Sequence, residues 1–159
     1  MSESTLLILN QKSATHLKDY QNGHGSAPVL WGLIAEKYFG ADPYRVLDRD
    51  LNRQIYRGLA QYTPAEACAL LLCCDFYYAP IKYGAYVADH FMEVGHEIEQ
   101  KYPEKVNHWE AIGHTILETH NRGKFSRFAQ GYVLNCTSVE DVYWHGADFS
   151  RAKSIFKEE

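Results

Sequence analysis

Four arginines at four-residue steps are the residues in this 159-residue chain best placed to do chemistry. Arg45, Arg49, Arg53 and Arg57 fall in one predicted helix, opened by Asp42-Pro43 as N-cap and first-turn proline. Each step drifts by about 40°, so the four guanidinium groups wrap through roughly a third of the circumference. Leu47, Leu51, Ile55 and Leu59 lie about 200° away and define the buried side. Guanidinium groups in such a row grip carboxylates or phosphates in forked pairs, which lysine cannot imitate. The plainer reading is a solvated face, because Asp48 and Asp50 interleave and Asp50 can pair with Arg53. A net charge of −4 and a pI near 6.0 rank an acidic protein surface ahead of nucleic acid as the partner.

A second cluster lies between Tyr86 and His120. It holds His90, His96, His108, His114 and His120, with seven carboxylates against two lysines, a formal charge of −5. Histidine and carboxylate are the natural ligands of zinc, iron and manganese. Glu93 and His96 have the ExxH spacing of helical di-iron sites, and Glu110, His114 and Glu118 form an i, i+4, i+8 column. With Phe91 and Val94 taken as inward on one helix, and Trp109 and Ile116 on the next, these groups face outward. A second ExxH and an HExxH are both absent. Solvated Glu–His faces are therefore the leading reading, with a metal site of Glu93, His96, Glu110 and His114 kept as the alternative. No catalytic residue and no cofactor is assigned. His120 differs by facing inward in the last turn of its helix, where a cationic ring would suit the helix C-terminus.

Tyrosine supplies a third signal. Phe76, Tyr77, Tyr78, Tyr83 and Tyr86 crowd around Pro80, and Tyr, Trp and Arg dominate interface hot spots. Tyr77, Tyr78 and Tyr83 therefore join the arginines as candidate partner-binding residues. Asp75, deep in an apolar run, needs a partner if buried, with Lys82 or an arginine the natural choice. Gly23-His24-Gly25-Ser26 could offer backbone N–H groups to an anion, but it lacks a phosphate-loop pattern.

The elements that must position these groups read as helices. Residues 12–22 form a short helix candidate; Ser26 and Pro28 open another that Gly40 closes. Thr63-Pro64-Ala65-Glu66 is a capping box leading into an apolar run that Pro80 breaks. Residues 81–100 resume the helix, Pro103 starts the next with Val106, Trp109, Ile112 and Ile116 inward, and Gly123 ends it. Phe125, Phe128, Ala129 and Tyr132 predict a seventh, short helix. Ser138 with Asp141 offers a further cap, and Phe149, Ala152 and Phe156 predict a closing amphipathic turn. Leu6-Leu7-Ile8-Leu9 is either a short strand or an apolar lead-in. The expectation is one all-α domain over residues 1–159, a bundle of about seven helices.

Composition narrows the setting. With 46% hydrophobic and 23% charged residues the chain is neither disordered nor a disulfide scaffold. Cys68, Cys73, Cys74 and Cys136 form no CxxC pair, which fits a reducing cytoplasm and small buried thiols. The start lacks the basic region of a signal peptide, and residues 65–80, the longest near-apolar run, are too few to span a bilayer. These features point to a non-enzymatic interaction module, an adaptor or inhibitor of the kind a phage or mobile element encodes. Its arginine helix and aromatic junction would dock on an acidic protein surface, with self-association as a variant. The alternatives are a metal-dependent enzyme using His and Glu of residues 89–118, and a phosphate or RNA binder through the arginine helix.

Overall fold

The chain opens with two strands, where the sequence predicts at most one. The structure is a computed structural model that describes residues 2–11, 13–21, 25–44, 48–73, 77–138 and 152–156. Strands β1 (Ser2–Asn10) and β2 (Ala14–Gln21) form an antiparallel pair. Three helices follow: α1 (Ala27–Phe39), α2 (Arg49–Arg57) and α3 (Pro64–Leu72). Strand β3 (Tyr77–Pro80) leads through a single 3₁₀ turn into α4 (Gly84–Lys101), then α5 (Trp109–Arg122). Strands β4 (Ala129–Ser138) and β5 (Lys153–Ser154) complete a sheet of order β2-β1-β4-β3-β5.

The fold is mixed α/β, not all-α, and the reason lies in non-local pairing. Strand β1 runs antiparallel to β4, Leu6 opposite Leu134 and Ile8 opposite Tyr132. Leu6, Ile8, Tyr132 and Leu134 join the core beneath the helices, while Leu7, Leu9 and Val133 are buried on the other face. A strand buried on both faces shows an unbroken apolar run instead of alternation, so Leu6–Leu9 carries no clear period.

The predicted seventh helix is strand β4. Its 3.6-residue spacing was coincidental: Phe128 is exposed, and Gly131 sits mid-strand because β3 comes close there. A Cβ on Gly131 would lie 2.3 Å from the Ala79 carbonyl oxygen. Likewise strand β2 (Ala14–Gln21) stands where the sequence predicts a helix over residues 12–22. A bulge between Leu6 and Leu7 shifts the β1–β2 register and leaves Leu17 and Tyr20 packed on the core, three residues apart as in a helix. The helix expected to run to Pro80 stops at Leu72, and aromatic Tyr77-Tyr78 enters the sheet.

Helix boundaries set by local chemistry match the sequence better. Thr63 Oγ1 accepts from the Glu66 N–H, and the Glu66 carboxylate accepts from the Thr63 N–H. Gly40 and Gly123 close α1 and α5 in the left-handed conformation, with φ of 61° and 65°. Two starts move. Asp48, not Asp42, caps α2, accepting from the N–H groups of Asp50 and Leu51. Helix α5 begins at Trp109, so Val106 is exposed in the preceding loop. Ser138 is the last residue of β4, while its predicted capping partner Asp141, Phe149 and the Gly23-His24 loop lie outside the described residues. So do Asp75, Phe76 and Cys74.

Helices α4 and α5 pack closely through glycine. A Cβ on Gly95 would stand 2.7 Å from the Glu110 backbone nitrogen, and one on Gly113 would stand 2.8 Å from the Ala88 carbonyl oxygen. Trp109 is fully buried beside this seam, edge-on to Phe91, with its indole N–H donating to the Ser26 carbonyl at 3.0 Å. Among the described residues no helix is long and apolar enough to cross a membrane.

Candidate functional site

Helix α2 presents the arginines. Ile55 is its one buried residue, and Tyr56 fixes it to α1 by accepting a hydrogen bond from the Trp31 indole at 3.1 Å. The opposite side carries Arg49, Arg53 and Arg57, all exposed. Arg53 stands 3.8 Å from Asp50, a pair open to solvent on both sides. Arg49 and Arg57 have no ion pair among the described residues. Arg57 in the last turn suits the helix dipole, whereas Arg49 in the first turn opposes it. Helix stability alone does not call for an arginine at that end. Arg45, the first of the sequence quartet, lies outside the described residues.

The tyrosines build a different surface. Tyr78, from β3, and Tyr83, from the 3₁₀ turn, line a cleft of about 1000 Å³ with Tyr86 of α4 and Phe156. The Phe156 ring lies 4.7 Å from that of Tyr83 and 5.7 Å from that of Tyr86. Strand β5 brings it there by pairing parallel to β3, Ser154 opposite Tyr78, and the Ile155 N–H donates to the Tyr78 carbonyl at 2.9 Å. Lys82, Gln130 and Ser154 add polar groups to the lining. Tyr77, one residue along β3, is not part of the wall, as strand alternation requires. No residue of α2 lines the cleft, so the sequence's partner-binding set divides between two faces.

Sequence reasoning placed Tyr86 in the aromatic crowd but missed Phe156, Ser154 and Gln130 as wall residues. Nothing local could have indicated them, because each arrives through sheet pairing. Their signal was merely an aromatic-rich chain.

The acidic half presents two outer faces. Glu93, His96, Glu110 and His114 are all exposed, with His114 3.6 Å from Glu110 and His96 hydrogen-bonded to Gln100 at 3.1 Å. Among the described residues no three His, Cys, Asp or Glu side chains stand close enough to share a metal ion. His120 faces inward against Gly84, its Nδ1 buried and without a hydrogen-bond partner. It stands in the last turn of α5, as expected, and among the described residues its ring makes no capping hydrogen bond.

A buried charge cluster also emerges that the sequence showed only as a helix cap. Glu66 is fully buried, accepting from Lys37 Nζ at 2.6 Å and Tyr38 OH at 2.5 Å. Lys37 also reaches Glu97 at 2.8 Å. Burial alone would raise the pKa of Glu66, but hydrogen bonds from Lys37, Tyr38 and the Thr63 N–H overcome it and hold the carboxyl below its ordinary value. With every member bonded, the cluster ties α1, α3 and α4 together.

Burial also sets the chemistry of Cys68, which the sequence reads as a small buried thiol. The Cys68 thiol is pushed up to about 12 by burial and carries almost no thiolate at neutral pH. Iodoacetamide at pH 8, followed by peptide mapping, is expected to leave Cys68 unlabelled in the native protein and labelled after unfolding in urea. Rapid native labelling would contradict this. A scan against protein-family models and searches of curated proteins and of solved structures find no match to the chain.

Proposed function

We propose that the chain is a non-enzymatic protein-binding module of adaptor or inhibitor type, docking onto an acidic surface of another protein through α2. The observation that carries this reading is the exposed arginine row. Three guanidinium groups share one face of a nine-residue helix, and within the described residues they have a single 3.8 Å solvent-open pair. Such groups contribute little to the fold. They supply forked donors suited to carboxylates. The aromatic cleft is a second contact surface on a separate face. A cytoplasmic setting fits the buried free thiol of Cys68.

The test is capture from a nuclease-treated native lysate, with the chain carrying Arg49→Glu and Arg53→Glu as control. Both positions are exposed, so the variant should unfold within about 0.5 kcal/mol of the wild type in urea. One protein recovered stoichiometrically by the wild type and lost by the variant is the expected result. Equal recovery by both would refute docking through α2, and material lost only on nuclease treatment would move the reading to nucleic acid. A second copy is the further candidate partner, because Asp89, Glu93, Glu99, Glu110 and Glu118 are exposed on α4 and α5. A sedimentation mass independent of concentration would dismiss it.

A further inference from the structure

We infer that the aromatic cleft binds an extended, proline-containing peptide segment with acidic residues beside the prolines. This deepens the interaction-module reading and rests on it. The argument starts from the wall. Tyr78, Tyr83, Tyr86 and Phe156 present four rings from four parts of the fold, with Pro80 and Ile81 among them. Tyr83 and Tyr86 are exposed, 38% and 48%, an unusual state for large apolar rings unless something covers them.

Hydrogen bonding narrows the occupant. The hydroxyls of Tyr78, Tyr83 and Tyr86 have no partner among the described residues. Lys82 adds an ammonium group 5.0 Å from the centre of the Tyr83 ring, and Gln130 an amide. Each of these groups can donate, and the hydroxyls and the amide can also accept. Among the described residues no carboxylate lines the cleft. A polyproline II segment has the complementary character: its carbonyls make no internal bonds, and its prolines have no N–H to satisfy. Flat proline rings also stack on tyrosine faces, and the preformed helix loses little entropy on binding.

Charge fixes the flank. Lys82 is exposed on the wall, Lys153 is exposed next to Ser154, and Arg127 lies over the Phe128 ring at 4.7 Å, two residues before the wall residue Ala129. This basic rim favours aspartate or glutamate beside the prolines. It opposes a cationic ligand, which four aromatic rings would otherwise suit.

The test is selection of a random-peptide phage library on the intact protein, followed by fluorescence anisotropy with the selected peptides. Proline-containing acidic peptides are expected, bound about tenfold more weakly by Tyr83→Ala or Tyr86→Ala. Lys82→Glu should weaken the same peptides, and the Arg49→Glu/Arg53→Glu protein should bind them as the wild type does. Thermal unfolding of each variant checks that the fold is intact. Selected peptides lacking proline, carrying basic flanks, or indifferent to both tyrosines would overturn the inference. If the selected peptides depend instead on Arg49 and Arg53, the cleft fails as the site while the interaction module stands. An empty selection overturns the cleft, and the lysate capture then decides the module separately.

Discussion

Replacing Glu66 with alanine is expected to lower the unfolding free energy by about 3 kcal/mol, at the lower end for breaking a buried ion pair. Two effects combine in that figure. The Tyr38 hydroxyl and the Thr63 N–H lose their acceptor, and Lys37 loses its shorter partner. Lys37 is partly exposed and keeps Glu97, which limits the loss. Urea unfolding measures it, and a change below about 1 kcal/mol would show that the cluster is not a structural tie. Glu66→Gln, which retains most of the shape, should cost less.

The same carboxyl gives a pH dependence of definite sign. Its folded pKa lies below the ordinary 4.5, so the folded state favours the ionised form. Its stabilisation is complete well above pH 4.5 and is lost as pH falls through the folded value. Urea midpoints from pH 7 down to pH 3 should fall more steeply for the wild type than for Glu66→Gln. Parallel acid limbs would place the acid-sensitive group elsewhere.

Gly95→Val should be comparably damaging, at about 3 kcal/mol, the upper part of the usual overpacking range. The new Cβ would meet the Glu110 nitrogen at 2.7 Å and its Cα at 3.3 Å. These are backbone atoms, so no rotamer change relieves the contact. The helices must separate, and the Asn107 side-chain bond to the Gly95 carbonyl at 2.7 Å would be disturbed with them. Gly95→Ala should also destabilise, but less, because alanine recovers about 1 kcal/mol of helix propensity. An unchanged or raised midpoint for Gly95→Val would show that α4 and α5 do not pack this closely.

What the sequence revealed divides by the range of the interaction responsible. Thr63 and Glu66 are three residues apart, and the capping box they form needs nothing from the rest of the chain. The glycine ends of α1 and α5 and the Val87, Phe91, Val94, Ile98 stripe of α4 are equally local. The sheet was hidden because its determinants are distant. Leu6 meets Leu134 across most of the chain, and both faces of β1 are buried, which erases the alternation that marks a strand. Gly131 was the one local hint against a seventh helix, since glycine is costly in a helix interior. The candidate site divides in the same way. Exposure of Arg49, Arg53 and Arg57 followed from helical spacing, whereas the cleft depends on β5 carrying Phe156 to the Tyr83–Tyr86 corner. Lys37 and Glu66 also meet only through tertiary packing.

Two faces with different chemistry therefore serve one proposed role: a charged helix for the flat acidic part of a partner, and an aromatic cleft for an extended segment of it. The most direct measurement is quantitative recovery of lysate proteins, after nuclease treatment, on three immobilised baits. These are the wild type, Arg49→Glu/Arg53→Glu and Tyr83→Ala/Tyr86→Ala. One protein held by the wild type and reduced about tenfold or more on each variant is the expected result, since loss of a hot-spot side chain commonly costs that much. Recovery of the same proteins in equal amounts on all three would contradict a binding module that uses these faces.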